Sequence, residues 1–88
     1  MTWQLEFTGK ASKKLSKLDN PIQKLIVAFF DELIKLDDPM CKGKALTGTL
    51  SGLWRYRVGD FRIICHMDEK IITILILDIG HRKEIYKN

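Results

Sequence analysis

All four arginines of the chain, Arg55, Arg57, Arg62 and Arg82, lie in its C-terminal part, and every basic residue before Arg55 is a lysine. Lysine is the ordinary solubilising cation, whereas the rigid, permanently charged fork of arginine suits a bidentate grip on phosphate and nucleic acid. The segregation points to an anion site. Two histidines, His66 and His81, accompany the arginines. An imidazole with an ordinary pKa of about 6.5 exchanges protons at neutral pH, so each is weighed as a proton-transfer group against base stacking or plain packing. The histidines and the scattered carboxylates form no recognisable metal-ligand set, and no cofactor motif is present. Cys41 and Cys65 have no CxxC spacing and no ligand neighbours, and read as structural or incidental thiols.

A hairpin aligns three of the arginines. Val58-Gly59-Asp60-Phe61 is a two-residue turn signal, with glycine where a type II′ or type I′ turn needs positive φ. That turn sets Val58 opposite Phe61, Arg57 opposite Arg62, Tyr56 opposite Ile63, Arg55 opposite Ile64 and Trp54 opposite Cys65. Because strand side chains alternate, Trp54, Tyr56, Val58, Phe61, Ile63, Cys65 and Met67 share the core face. Arg55, Arg57, Arg62 and His66 share the other. Like charges directly opposed across an antiparallel pair destabilise it, so the Arg57–Arg62 pair favours an external anion over a merely solvated face. The aromatic residues between the arginines, Trp54 and Tyr56, belong to the core.

The remaining elements follow from periodicity. Trp3, Leu5 and Phe7 alternate with polar residues as a short half-buried strand. A helix over Lys10 to Leu18 places Ala11, Leu15 and Leu18 on one stripe, with its lysines on solvated faces. Asn20 as N-cap and Pro21 in the first turn open a second helix running to about Leu36, apolar enough to bury most of its surface against the sheet and its partner helix. Asp37, Asp38 and Pro39 break the chain, and Gly43, Gly48 and Gly52 punctuate a loop. A second turn at Asp68-Glu69 returns the chain as a strand from Lys70 to Asp78. Its apolar residues on both faces place it in the sheet interior, next to the N-terminal strand. Gly80 ends that strand and leaves His81, Arg82 and Tyr86 on a tail, and periodicity does not place Arg82 on the arginine face. The fold class is α+β: a short N-terminal strand, a helical hairpin, then a three-strand antiparallel meander, giving one mainly antiparallel sheet with the helices on one face.

Eighty-eight residues suit a single domain over 1–88. No stretch approaches the roughly 20 apolar residues of a membrane span. Met1 to Phe7 lacks a basic segment leading into an apolar core, and a cytoplasmic location is expected. The net charge of +4 weakly favours an acidic partner such as RNA, DNA or an acidic protein. Lys42, Lys44, Lys83 and Lys87 either guide the protein to phosphate or only keep it soluble.

The run from Gly48 to Ile63, GTLSGLWRYRVGDFRI, and the tail Gly80 to Tyr86, GHRKEIY, resemble the RelE toxins of the RelE/ParE toxin–antitoxin superfamily. The resemblance spans the whole chain in element order, and the basic hairpin with a GHR-like tail ending in tyrosine looks like the RNA-cleaving branch. It implies a ribosome-dependent endoribonuclease that cuts the mRNA codon in the ribosomal A site without a metal, and an antitoxin from the adjacent gene that neutralises its basic surface. By residue match, Arg62 and Arg82 correspond to phosphate-stabilising arginines. Tyr86 corresponds to a terminal aromatic that stacks on a substrate base or takes part in proton transfer. Arg55 and Arg57 match positions often held by basic residues, some of them lysine. Arginine there is a poor proton donor, since its pKa lies above about 12. Arg62, Arg82, Tyr86 and His81 are therefore the candidate catalytic residues, and Arg55, Arg57, Lys42, Lys44 and Lys83 the candidate phosphate contacts. Two other functions are weighed against the nuclease: a ParE-like inhibitor of DNA gyrase, and a non-catalytic RNA-binding module.

Overall fold

The computed structural model describes residues 2–81. The chain runs β1 (Gln4–Phe7), α1 (Gly9–Ser16), α2 (Asn20–Leu33), β2 (Lys44–Ala45), β3 (Trp54–Val58), β4 (Phe61–Asp68) and β5 (Thr73–His81), with 3-10 turns at Pro39–Lys42 and Gly48–Leu50. The strands form one five-stranded sheet in the order β1-β5-β4-β3-β2. Among the described residues, only the β1–β5 pairing is parallel. The α+β class, the meander and the interior place of the last strand all match the sequence reading, and β2 adds an edge strand that two residues cannot announce by periodicity.

The core lies between the helices and one face of the sheet. Ala11 of α1 and Ile26, Phe30 and Leu33 of α2 pack against Tyr56, Val58, Ile63, Cys65, Ile74, Ile76 and Ile79. The phenylalanines Phe29 and Phe30 and the Tyr56 ring meet edge to face, with centroids 5.2 to 5.8 Å apart. Such contacts add to simple burial. The Tyr56 hydroxyl donates to the Pro39 carbonyl at 2.8 Å, and the Trp54 indole Nε1 donates to the Met40 carbonyl at 3.1 Å. Gly43 makes the second contact possible, because a Cβ there would come within 2.6 Å of the Trp54 ring. These bonds fasten the loop before β2 to β3, and both aromatic residues are core, as the alternation requires.

Several boundaries differ from the sequence reading. The first helix runs Gly9–Ser16 and not Lys10 to Leu18, because Thr8 caps it, its Oγ1 accepting from the Ala11 amide at 3.1 Å. Asp19 stands at the N-cap of α2 in place of Asn20, which is already helical with Pro21 behind it. The helix stops at Leu33, where the chain tightens into shorter turns and the Ile34 carbonyl accepts from the Trp3 amide at 2.8 Å. Nor does α2 bury most of its surface: Leu25 is 50% exposed and Val27 41%. The reason is geometric, since α1 lies over β5 and β1 while α2 lies over β3, and neither helix covers the other's outer side.

The last strand begins at Thr73, not Lys70, because Asp68 Oδ1 accepts from the amides of Lys70 and Ile71 and prolongs the turn. It also continues through Gly80 to His81. Glycine does not end the strand here because Gly80 is held in the ladder opposite Arg62. His81 thus belongs to the strand and not to the expected tail. Arg82, Lys83, Tyr86 and Lys87 lie outside the described residues.

Candidate phosphate-binding face

The β3–β4 ladder has the register that the Gly59-Asp60 turn demands: Val58 pairs with Phe61, Arg57 with Arg62, Tyr56 with Ile63, Arg55 with Ile64 and Trp54 with Cys65. Gly59 has φ +60 and Asp60 is not in the left-handed region, which selects type II′ between the two turns left open by sequence. Arg55, Arg57 and Arg62 consequently project from the face of the sheet opposite the helices. Arg62 sits on the central strand and is only 7% exposed, whereas Arg57 is exposed. A fixed guanidinium therefore lies beside a reachable one.

β2 brings a fourth cation to this face. Lys44 pairs with Arg55 across the β2–β3 ladder, and paired residues in an antiparallel ladder share a face. Lys42 does not join them. It lies on the helix side, lining a hollow of about 400 Å³ with Phe29, Glu32, Leu33 and Leu36. Nothing in the sequence distinguishes the two lysines, because their separation depends on a 3-10 turn and a two-residue strand.

The position of His81 depends on a bulge. Phe61 to Ile64 pair with His81 to Asp78, and Cys65 to Asp68 pair with Ile76 to Thr73, so Leu77 is an extra residue in β5. The bulge shifts the alternation by one. Ile79 stays in the core, Gly80 lies opposite Arg62, and His81 lies opposite Phe61 with ring centroids 5.8 Å apart. His81 therefore shares the face of Phe61 and not that of Arg57 and Arg62. His66 does lie on the arginine face, exposed, toward the far end of β4.

The N-terminus of α1 secures the bulge. Thr8 Oγ1 donates to the Leu77 carbonyl at 3.2 Å, and the Asp78 carboxylate receives Lys14 Nζ at 2.8 Å and Lys10 Nζ at 3.4 Å. Burial alone pushes the Asp78 pKa up, but the hydrogen bond and charge of Lys14, with Lys10 adding to both, hold it below the usual carboxylate value. Asp78 is thus a carboxylate already committed to two ammonium groups. Burial also pushes the Tyr56 hydroxyl and the Cys65 thiol far above their ordinary values, so neither exchanges protons at neutral pH. Both cysteines are free thiols, Cys41 exposed and Cys65 buried. Among the described residues no cluster of three or more His, Cys, Asp or Glu side chains is placed to hold a metal ion, and no helix is long and apolar enough to cross a membrane.

The face can therefore bind a phosphate and stabilise added negative charge through Arg57 and Arg62, with Arg55 and Lys44 alongside. Comparison with known proteins gives the same shape a lineage. Residues 5–86 match the family model described as the ParE toxin of the type II toxin–antitoxin system parDE. The chain is 33% identical over 88 residues to Toxin RelG of Mycobacterium tuberculosis, covering 99% of both proteins. Its fold is similar to a RelBE toxin–antitoxin complex structure from M. tuberculosis, with TM-score 0.84 and 31% identity over 93% of this chain and 100% of the other. An archaeal RelE–RelB complex from Pyrococcus horikoshii aligns at TM-score 0.73 and 29% identity, covering 93% and 97%.

Proposed function

The chain belongs to the RelE/ParE superfamily of type II toxin–antitoxin toxins, and on that premise we propose that it is a ribosome-dependent endoribonuclease that cleaves mRNA in the A site. The observation that carries the reading is the direct opposition of Arg57 and Arg62 on the open face of the sheet. Attack of a ribose 2′-hydroxyl on the adjacent phosphate builds negative charge on a pentacoordinate phosphorus. Guanidinium groups fixed before the reaction stabilise that charge without reorganising. Arg62, held on the central strand, supplies the fixed group, and Arg57 closes on the phosphate from β3. Arg55 and Lys44 continue the positive surface along the RNA backbone.

Proton transfer falls to other groups. Arg82 as a second phosphate stabiliser, Lys83 as a phosphate contact and Tyr86 at the substrate base or in proton transfer are roles that the resemblance to RelE supplies. His81 is the weaker candidate for proton transfer, since its register sets it against Phe61. Several relatives of known structure are complexes of RelE with RelB. By analogy a small antitoxin from the adjacent gene covers the basic face, and the toxin acts in the cytoplasm when released.

The test is mRNA cleavage on programmed ribosomes. Arg62→Ala should lose about 100-fold or more in cleavage rate, the usual cost of removing one preorganised charge-stabilising donor, while keeping its fold. Full cleavage by a folded Arg62→Ala protein would remove this residue from the chemistry. A second reading is favoured by the family model itself, which is described by the parDE system: inhibition of DNA gyrase. It requires inhibited supercoiling with intact mRNA.

A further inference from the structure

The open face of the sheet changes sign along its length. Arg57, Arg62 and Gly80 form one row at the hairpin end. At the other end His66 of β4 pairs with Leu75 of β5, and Leu75 pairs in parallel with Glu6 of β1. The next row holds Asp68 and Thr73. With Ile71 these side chains line a hollow of about 200 Å³. His66 lies four residue steps from Arg62 along β4, or about 13 Å.

The chemistry of this hollow is unlike that of the arginine row. Its carboxylates repel phosphate, and its volume is below the range of about 300 Å³ and upward that whole drug-sized ligands occupy. A single flat ring with N–H donors on its edge suits it: Leu75 and Ile71 offer apolar walls, His66 a ring to stack on, and carboxylates accept. Asp68 Oδ1 is already engaged by the amides of Lys70 and Ile71. Glu6 takes part in no ion pair among the described residues, which leaves its carboxylate as the reader.

The wall at Ile71 is made at a cost. Ile72 has φ +41, a left-handed conformation that a β-branched residue adopts only under constraint, worth about 1–3 kcal/mol. It is held by the Gln4 amide donating to its carbonyl at 2.8 Å and by packing of its side chain against the core. The consequence is that Ile71 turns outward, 60% exposed, at the rim of the hollow. Strain of this kind concentrates at binding sites.

We infer that the hollow is a base-reading subsite selective for guanine, taken from a nucleotide flanking the one whose phosphate lies at Arg57 and Arg62. Guanine is the RNA base that offers a ring N–H and an exocyclic amine side by side, and a carboxylate accepts both at once in bidentate fashion. Uracil places carbonyls beside its N–H, and adenine and cytosine place a ring acceptor beside their amine, so each turns an acceptor toward Glu6. Stacking on an imidazole and hydrogen bonding along the base edge are the ordinary means by which proteins read unpaired RNA. The inference rests on the arginine row being a phosphate site.

The experiment is an NMR titration of the full chain with two dinucleotides, UpG as the guanine nucleotide and UpU as the uridine nucleotide. The guanine nucleotide should shift the amides of Glu6, His66 and Leu75 as well as the arginine row, and bind about tenfold more tightly than the uridine nucleotide. Glu6→Gln should abolish that preference and leave the shifts of the arginine row. Equal affinity for the two nucleotides, or a preference that survives Glu6→Gln, overturns the subsite. Shifts at the hollow with none at Arg57 or Arg62 instead overturn the phosphate reading and leave guanine recognition standing.

Discussion

Arg57 and Arg62 stand opposite one another in the β3–β4 ladder, where like charges oppose folding by a few tenths to about 1 kcal/mol. The proposed function and stability therefore pull against each other at this pair. Arg57→Gln should raise the unfolding free energy measured in urea by an amount in that range, while mRNA cleavage falls. A variant that is less stable than the parent would mean that the pair is not a repulsive contact held for its ligand. The pair was legible in the sequence because a two-residue turn with glycine at its first position permits one register. The place of His81 was not. An apolar run from Ile74 to Leu77 reads the same with or without a bulge, and the bulge decides which face His81 joins. Lys44 was equally hidden from Lys42, since a strand of two residues has no period.

At the scale of elements, the device that sets the C-terminal half of β5 in phase is the contact between α1 and the bulge. Thr8 caps the helix and donates to Leu77, while Lys10 and Lys14 flank Asp78. The Asp78 pKa is lower in the folded protein than in the unfolded chain. Its contribution is thus complete above the unfolded value of about 4 and is lost as pH falls through the lower folded value. Asp78→Asn should be less stable than the parent at pH 7 in urea unfolding, with the gap closing as pH is lowered below about 4. A gap unchanged between neutral and acid pH would show that the two lysines add nothing. Helix and strand identities were readable because their apolar periods are long. Boundaries were not, because they turn on single bonds: Asp68 Oδ1 prolongs the turn before β5, and Trp3 draws on the Ile34 carbonyl where α2 ends. The exposed Leu25 and Val27 on α2 likewise follow from where the short α1 docks, which composition does not reveal.

At the scale of the whole molecule, the two faces of the sheet divide the work. One face buries Tyr56, Ile63, Cys65, Ile74, Ile76 and Ile79 beneath the helices. The other collects Lys44, Arg55, Arg57 and Arg62 toward one end and Glu6, His66 and Asp68 toward the other. In a chain with a net charge of +4, Arg55, Arg57 and Arg62 thus lie together on one face of the sheet. Membership of the RelE/ParE superfamily fits that division, and it leaves two targets to separate, mRNA on the ribosome and DNA gyrase. Inducing the chain in growing cells and mapping new mRNA 5′ ends against the reading frame separates them most directly. The account predicts fresh ends at fixed positions within codons of translated messages, absent with Arg62→Ala. Intact messages together with double-strand DNA damage would contradict it.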